Sequence, residues 1–363
     1  MSNFPQIDNR QSTIENSPGS QEEEGITLFI VLWVLTLLAV IVGEFCYAMR
    51  TEVNITRNFK EETECYYRAQ AGVFRAISEL IKADVLPEDQ ETEEAEDETG
   101  KIDWRVGVDI PPVAFAGGLY KVEIGNESGR VDINTATNSL LLVALNGLGI
   151  EEDERDVIVD SILDWRDADD LHRINGAESD YYQALEKPHN CKNGNFDSIE
   201  ELLLVRGVTH EIFYGGLKDK VTVHSAGGKK KTSRNWRVTR TRSTKININA
   251  ATPQMLLSLP MMTQELVDAV LAARQTAEIE SVSELVEIVG MDAYTAMRSY
   301  ITLSGTAFYT IRSTGMPQKG LTRKDIEAVV EIDGSYSRGY RIIEWKEDMA
   351  AFEEGQGKTG AQG

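Results

Sequence analysis

The hydrophobic pattern of the chain opens with a run that does not alternate. From Ile26 to Gly43, 18 residues carry no charge, enough for a helix to cross the hydrocarbon core of a bilayer. Beyond it, apolar residues return at three- and four-residue spacing, at Tyr66, Ala69, Val73, Ile77 and Leu80. That period predicts an amphipathic helix running to about Ala83 with one face against a core, and Pro87 stops it. One helix over residues 26–86 is expected, with the membrane span first and the stem second.

Strand patterning is confined to two places. Leu119-Tyr120-Lys121-Val122-Glu123-Ile124 alternates like a half-buried strand, and turn residues from Asn126 to Gly129 precede Arg130-Val131-Asp132-Ile133. Near the far end, Phe308–Arg312, Asp325–Ile332 and Tyr340–Trp345 read as three strands of an antiparallel sheet, with Gly334 in a turn. The sheet is therefore expected in two parts, over residues 87–130 and 304–350. The acidic run Glu88–Glu98 reads as a solvated loop and the tail at 351–363 as disordered.

Between the two parts lies an internal repeat. Val131-Asp132-Ile133-Asn134-Thr135-Ala136-Thr137 aligns with Ile246-Asn247-Ile248-Asn249-Ala250-Ala251-Thr252, and Ser198-Ile199-Glu200-Glu201-Leu202 aligns with Ser281-Val282-Ser283-Glu284-Leu285. In each copy an Asn closes a strand, Thr137 or Thr252 is placed to cap a helix, and an apolar run opens a buried face. The pattern predicts a duplicated helical body over residues 131–303, each copy a helix, a short turn and another helix. The offset between copies falls from 115 to 83, so the first holds 32 extra residues, assigned to an acidic insertion over 166–197.

Composition narrows the function. The formal net charge of −22 argues against nonspecific attraction to phosphate backbones. One acid-free basic stretch, Lys229 to Lys245 with Trp236 inside it, reads as a solvated linker or as a surface for an acidic partner or nucleic acid. The hairpin Leu145-Asn146-Gly147-Leu148-Gly149-Ile150 has the glycines of a DNA-binding helix-hairpin-helix, whereas Leu259-Pro260-Met261-Met262-Thr263 in the second copy lacks them. Cys46, Cys65 and Cys191 suggest neither a disulfide framework nor a zinc site, and the four histidines are scattered. With no nucleophile elbow or phosphate loop, an enzyme is not expected.

The insertion carries the candidate chemistry. It reads Asp164-Trp165-Arg166-Asp167-Ala168-Asp169-Asp170, then Asn175-Gly176-Ala177-Glu178, and later Asn193. So many carboxylates in one loop either point apart into water or converge on a cation, and hard oxygen donors suit Ca²⁺ better than Mg²⁺. The spacing is not that of an EF-hand, and composition leaves both readings open.

The boundary of the apolar run adds a resemblance. A lone glycine, Gly25, precedes Ile26, in place of the small-x-small site of a secretory signal. This resembles the leader of type IV prepilins and pseudopilins, over residues 1–25 here, which implies peptidase cleavage after Gly25 with Ile26 as the first mature residue. The fifth mature position, commonly Glu in such subunits, is Ile30, and the leader is acidic with Arg10 as its only basic residue. The missing carboxylate, the duplicated helical region and the Asp-Trp-Arg-Asp-Ala-Asp-Asp signature with Asn-Gly-Ala-Glu and Tyr181-Tyr182 together resemble the general secretion pathway protein K family, the large minor pseudopilin of type II secretion, from Gly25 to about Glu347.

The resemblance implies an α+β fold, with a transmembrane and stem helix packed on an antiparallel pseudopilin sheet and a SAM-like or helix-hairpin-helix insert. It implies calcium held by Asp167, Asp169, Asp170, Asn175 and Glu178, with Asn193. It further implies an inner-membrane, single-pass subunit with a periplasmic body. Its partners would be other minor pseudopilins in a tip complex, the major pseudopilin and the prepilin peptidase, and not nucleic acid. The role implied is to help initiate assembly and limit extension of the pseudopilus. A minor pilin of a related type IV pilus system shares the stem but ordinarily lacks the duplicated insert.

Overall fold

A computed structural model describes residues 20–85, 102–224, 228–232, 235–239 and 244–347. The leader before Ser20, the run Glu88–Glu98, the basic residues Arg234, Arg240 and Arg242, and the tail lie outside the described residues. The chain divides into two compact units, at 1–61 and 62–363.

The first unit holds the leading part of helix α1 (Ser20–Val85). Its described side chains from Ile26 to Lys60 are all exposed, so between Ile26 and Gly43 the helix is apolar on every side, the composition of a bilayer span and not of an amphipathic surface helix. Among the described residues α1 is the one helix long and apolar enough to cross a membrane.

In the second unit the last part of α1 turns amphipathic and packs on a sheet. Ala69, Val73, Ile77 and Leu80 share a buried core with Val122, Ile311, Ile326 and Val330. Glycine allows the approach: a β-carbon on Gly315 would lie 1.9 Å from the Cys65 carbonyl oxygen, and one on Gly72 2.3 Å from Ser313 Oγ. The sheet begins with β1 (Val113–Phe115) and β2 (Gly118–Asn126). The chain then leaves the sheet for the whole of residues 127–307.

Within this excursion β3 (Val131–Asp132) pairs in parallel with β4 (Val221–Thr222), and between them lie α2 (Asn138–Leu145), α3 (Glu152–Arg166), α4 (Ser179–Gln183), α5 (His210–Ile212) and α6 (Lys218–Lys220). The basic stretch forms a hairpin of β5 (Gly228–Thr232) and β6 (Asn235–Thr239). Next, β7 (Ile246–Asn247) pairs in parallel with β8 (Ile301–Thr302) around α7 (Pro253–Leu257), α8 (Gln264–Thr276), α9 (Val282–Val289) and α10 (Met291–Met297). The chain returns through β9 (Phe308–Pro317), β10 (Lys324–Ile332) and β11 (Tyr340–Glu347), completing an antiparallel sheet of order β1-β2-β9-β10-β11.

The two helical segments are held by the same local bonds. Thr137 caps α2 at the Leu140 amide and Thr252 caps α7 at the Met255 amide. Asn134 accepts from the Phe196 amide at 2.7 Å and donates to its carbonyl at 3.0 Å, as Asn249 does with Ile279 at 3.0 and 2.9 Å. Arg166 donates to the Ala136 carbonyl at 2.6 Å and Arg274 to the Ala251 carbonyl at 2.7 Å. Gly207 and Gly290 take left-handed φ values of 85° and 84°. One core runs through both segments, with Leu141, Leu145 and Ile158 from the first and Met255, Leu256 and Val267 from the second.

At Arg130–Ile133 the chain has left the sheet for the helical body, as the boundary at residue 131 predicts. Only Val131 and Asp132 are strand, and they pair with β4 outside the five-stranded sheet. A 3-10 turn at Glu127–Gly129 diverts the chain. Buried Glu127 holds the turn in place, accepting from the hydroxyls of Thr222 and Thr310 and from the Arg130 guanidinium at 3.1 Å.

Candidate cation site in the insertion

The insertion is built on the end of α3. The helix buries Ile158, Ile162 and Trp165 along one face, and its Asp164 is fully buried beside them. Trp165 meets Tyr182 edge-on at 5.2 Å and stacks on Phe196 at 6.3 Å. An aromatic layer thus joins the start, middle and end of a segment that has little regular structure of its own.

Two arginines and a lysine set the loop's course. Arg206 donates to the Gly176 carbonyl at 3.0 Å and lies over the Tyr181 ring at 4.8 Å. The Arg173 amide donates to both Asp164 oxygens, at 3.3 and 3.1 Å; its guanidinium binds Asp164 Oδ1 and, at 2.7 Å, Asp167 Oδ2. Lys192 is taken up by Asp197 at 2.7 Å and Glu201 at 2.8 Å.

What these contacts leave over is a set of buried oxygens without hydrogen-bond partners: Asp167 Oδ1, Asn193 Oδ1 and both carboxylate oxygens of Glu178. Glu178 is only 2% exposed. Its carboxyl is held above the usual range, chiefly by burial and then by the nearby charges of Asp164, Asp167 and Asp170, while the Cys191 thiol pulls the other way. That thiol is a weak donor and lies 3.8 Å from the Asp164 carbonyl oxygen. Burial first, and then Glu178, pushes the thiol up to about 12. A buried carboxylate with at most a weak thiol donor and no counter-charge is costly, and the oxygen-only character of the leftover groups fits a hard cation.

Of the six residues named from the sequence, Asp167, Glu178 and Asn193 supply these oxygens, and Asp170 joins them by accepting from Asn193 Nδ2 at 2.9 Å. Asn193 adopts a left-handed φ of 48° to do so. Asn175 turns elsewhere, its amide and its Nδ2 each donating to Asp160 at 3.2 Å, and Asp169 accepts from the Leu171 amide at 2.9 Å. Among the described residues no three His, Cys, Asp or Glu side chains converge on one point, so two carboxylates and an amide oxygen would need main-chain carbonyls or water to complete a shell. Sequence reasoning missed Asp164 and Arg173. Burial on the apolar face of α3 was the available signal for Asp164, and nothing local marked Arg173. Gly25, Ile26 and Ile30 lie in α1 within the first unit, with Ile26 and Ile30 exposed.

One of the comparisons with known proteins falls on this region. Residues 127–224, from the Glu127 turn through β4, match the family model described as type II secretion system (T2SS), protein K. The putative type II secretion system protein K of Escherichia coli (strain K12) is 26% identical over 204 residues, covering 53% of this chain and 61% of the relative. Type II secretion system protein K of Pectobacterium carotovorum subsp. carotovorum is 26% identical over 209 residues, covering 53% and 60%. The chain thus spans about three fifths of the length of the curated relatives it matches. Among solved structures, the crystal structure of the GspK-GspI-GspJ complex from the enterotoxigenic Escherichia coli type 2 secretion system matches with a TM-score of 0.51 at 14% identity, over 81% of this chain and 99% of that one. At that identity the likeness is one of fold, and it agrees with the α+β arrangement of helix, antiparallel sheet and helical body described above. Together with the family-model match across the acidic insertion, it makes the chain similar to type II secretion system protein K over residues 127–224 and in fold.

Proposed function

We propose that this chain is a minor pseudopilin of a type II secretion system. Cleavage after Gly25 leaves Ile26 at the amino terminus, the segment Ile26–Gly43 anchors the subunit in the inner membrane, and the second unit lies in the periplasm. The observation that carries the reading is the joining, in one chain, of an apolar helix whose stem packs on an antiparallel sheet with a helical body inserted between β2 and β9. The solved relative is a GspK-GspI-GspJ complex, so the partners proposed are other minor pseudopilins, with the major pseudopilin and the prepilin peptidase as further contacts. The role is structural and not catalytic.

A tip position follows from two features. Ile30 offers no carboxylate to the amino terminus of a neighbouring subunit in a low-dielectric setting, and a bulky helical body suits a subunit that need not fit beneath another. From that position it would help initiate assembly and limit extension.

Calcium is proposed for the insertion. Asp167, Glu178 and Asn193 would hold it, with Asp170 positioning Asn193. Bound there, the ion supplies the positive charge that Glu178 lacks. In the full-length protein in detergent, calcium added after chelation should raise the melting temperature, since a ligand that binds only the folded chain stabilises it. An unchanged curve would remove the ion from the proposal. Amino-terminal sequencing of the membrane-extracted protein should read from Ile26, and an intact Met1 would sink the pilin-type processing.

A further inference from the structure

We infer that Arg173 and a divalent cation compete for Asp167, so that this guanidinium sets the affinity of the insertion for its ion. The inference rests on the calcium reading above and adds to it a residue that limits binding.

Asp167 is shared between two environments. Its Oδ2 receives the Arg173 guanidinium at 2.7 Å, while its Oδ1 is buried without a partner, as are both oxygens of Glu178, which is 2% exposed. A dication on the buried Oδ1 would bring a second positive centre to a carboxylate that already holds the half-buried Arg173 guanidinium on its Oδ2, so the two cations repel. Three nearby cations are engaged elsewhere: Lys192 with Asp197 and Glu201, Arg166 with main-chain carbonyls, and Arg206, beyond the insertion, with the Gly176 carbonyl. Arg173 is the basic group bonded to both Asp164 and Asp167.

The geometry also allows the guanidinium to leave. Arg173 is tied to buried Asp164 through its backbone amide as well as its side chain, so the loop keeps its anchor when the side chain moves. Its side chain is 39% exposed, which gives it a path to solvent.

Calcium titration calorimetry on the full-length protein in detergent, with wild type, Arg173→Met and Glu178→Gln, tests the competition. Arg173→Met should bind calcium about tenfold tighter or more, and Glu178→Gln should lose binding. In chelator Arg173→Met should melt below wild type, having lost its bond to Asp164; in saturating calcium it should melt at or above wild type. Equal or weaker calcium binding by Arg173→Met, or a melting deficit that is the same in both conditions, overturns the inference. If Arg173→Met does not fold, the Arg173 Nε–Hε resonance in the wild-type chain reports instead. It should shift on adding calcium, and a resonance unmoved at saturation overturns the competition. Absence of calcium binding in wild type would defeat the calcium reading itself, an outcome distinct from binding that is indifferent to Arg173.

Discussion

Gly176 lies so close to Asp164 that a β-carbon on the glycine would sit 1.8 Å from Asp164 Oδ2. Asp164 is fully buried and fastens the Arg173 amide, so it has no room to yield. Gly176→Ala should therefore displace the loop and cost about 1–3 kcal/mol, as overpacking does. Gly215→Ala, where a β-carbon meets nothing within 4 Å, is the control. Equal denaturation midpoints for the two variants would contradict the packing argument.

Met261 stands in the second helical segment where the first has Gly149, and both are left-handed, with φ of 60° and 71°. A side chain in that region costs about 1–2 kcal/mol, offset in part by the greater freedom of glycine in the unfolded chain. Since Met261 is 62% exposed and little packing is lost, Met261→Gly should stabilise the protein by about 0.5–1 kcal/mol. Gly149→Ala should do the opposite, and both are read from urea denaturation.

Asn249 and Asn134 make the same pair of main-chain bonds, but Asn249 is buried and Asn134 only half-buried. Removing a buried partner leaves the other group unsatisfied, whereas water reaches the half-buried one. Asn249→Ala is expected to cost about 2–4 kcal/mol and Asn134→Ala about half as much. The reverse order, measured by thermal melting, would refute the burial argument.

Lys220 is 3% exposed and donates to the Asn146 carbonyl at 2.6 Å, and burial pushes its ammonium down to about 8. The unfolded chain then binds the proton more tightly than the folded one. The cost of burying the charge is present in full below about pH 8 and disappears as pH rises toward the unfolded value near 10.5. Relative to Lys220→Met, which does not titrate there, wild type should gain about 2–3 kcal/mol of stability between pH 7 and 10.5. A stability difference independent of pH would show that Lys220 is not desolvated.

Legibility along the chain follows the range of the interactions. The stem face of α1, the strands β2, β9, β10 and β11, and the caps at Thr137 and Thr252 are written in local periods and capping residues, and they lie where those signals put them. The pairs β3–β4 and β7–β8 were not visible as pairs. Two-residue strands carry no period, and each meets its parallel partner only across the intervening helices. In the candidate site, composition marked the acidic loop but could not sort Asn175, turned to Asp160, from Asn193, brought back against Asp170 across 23 residues.

By itself the sequence determined the apolar span, the antiparallel strands and the two related helical segments, because each rests on residues within a turn or a strand of one another. Only the tertiary structure decided that Glu178 would be buried without a partner while Arg173 took Asp164 and Asp167. Burial and charge pairing depend on which distant segments close over a carboxylate, and no spacing along the chain records that.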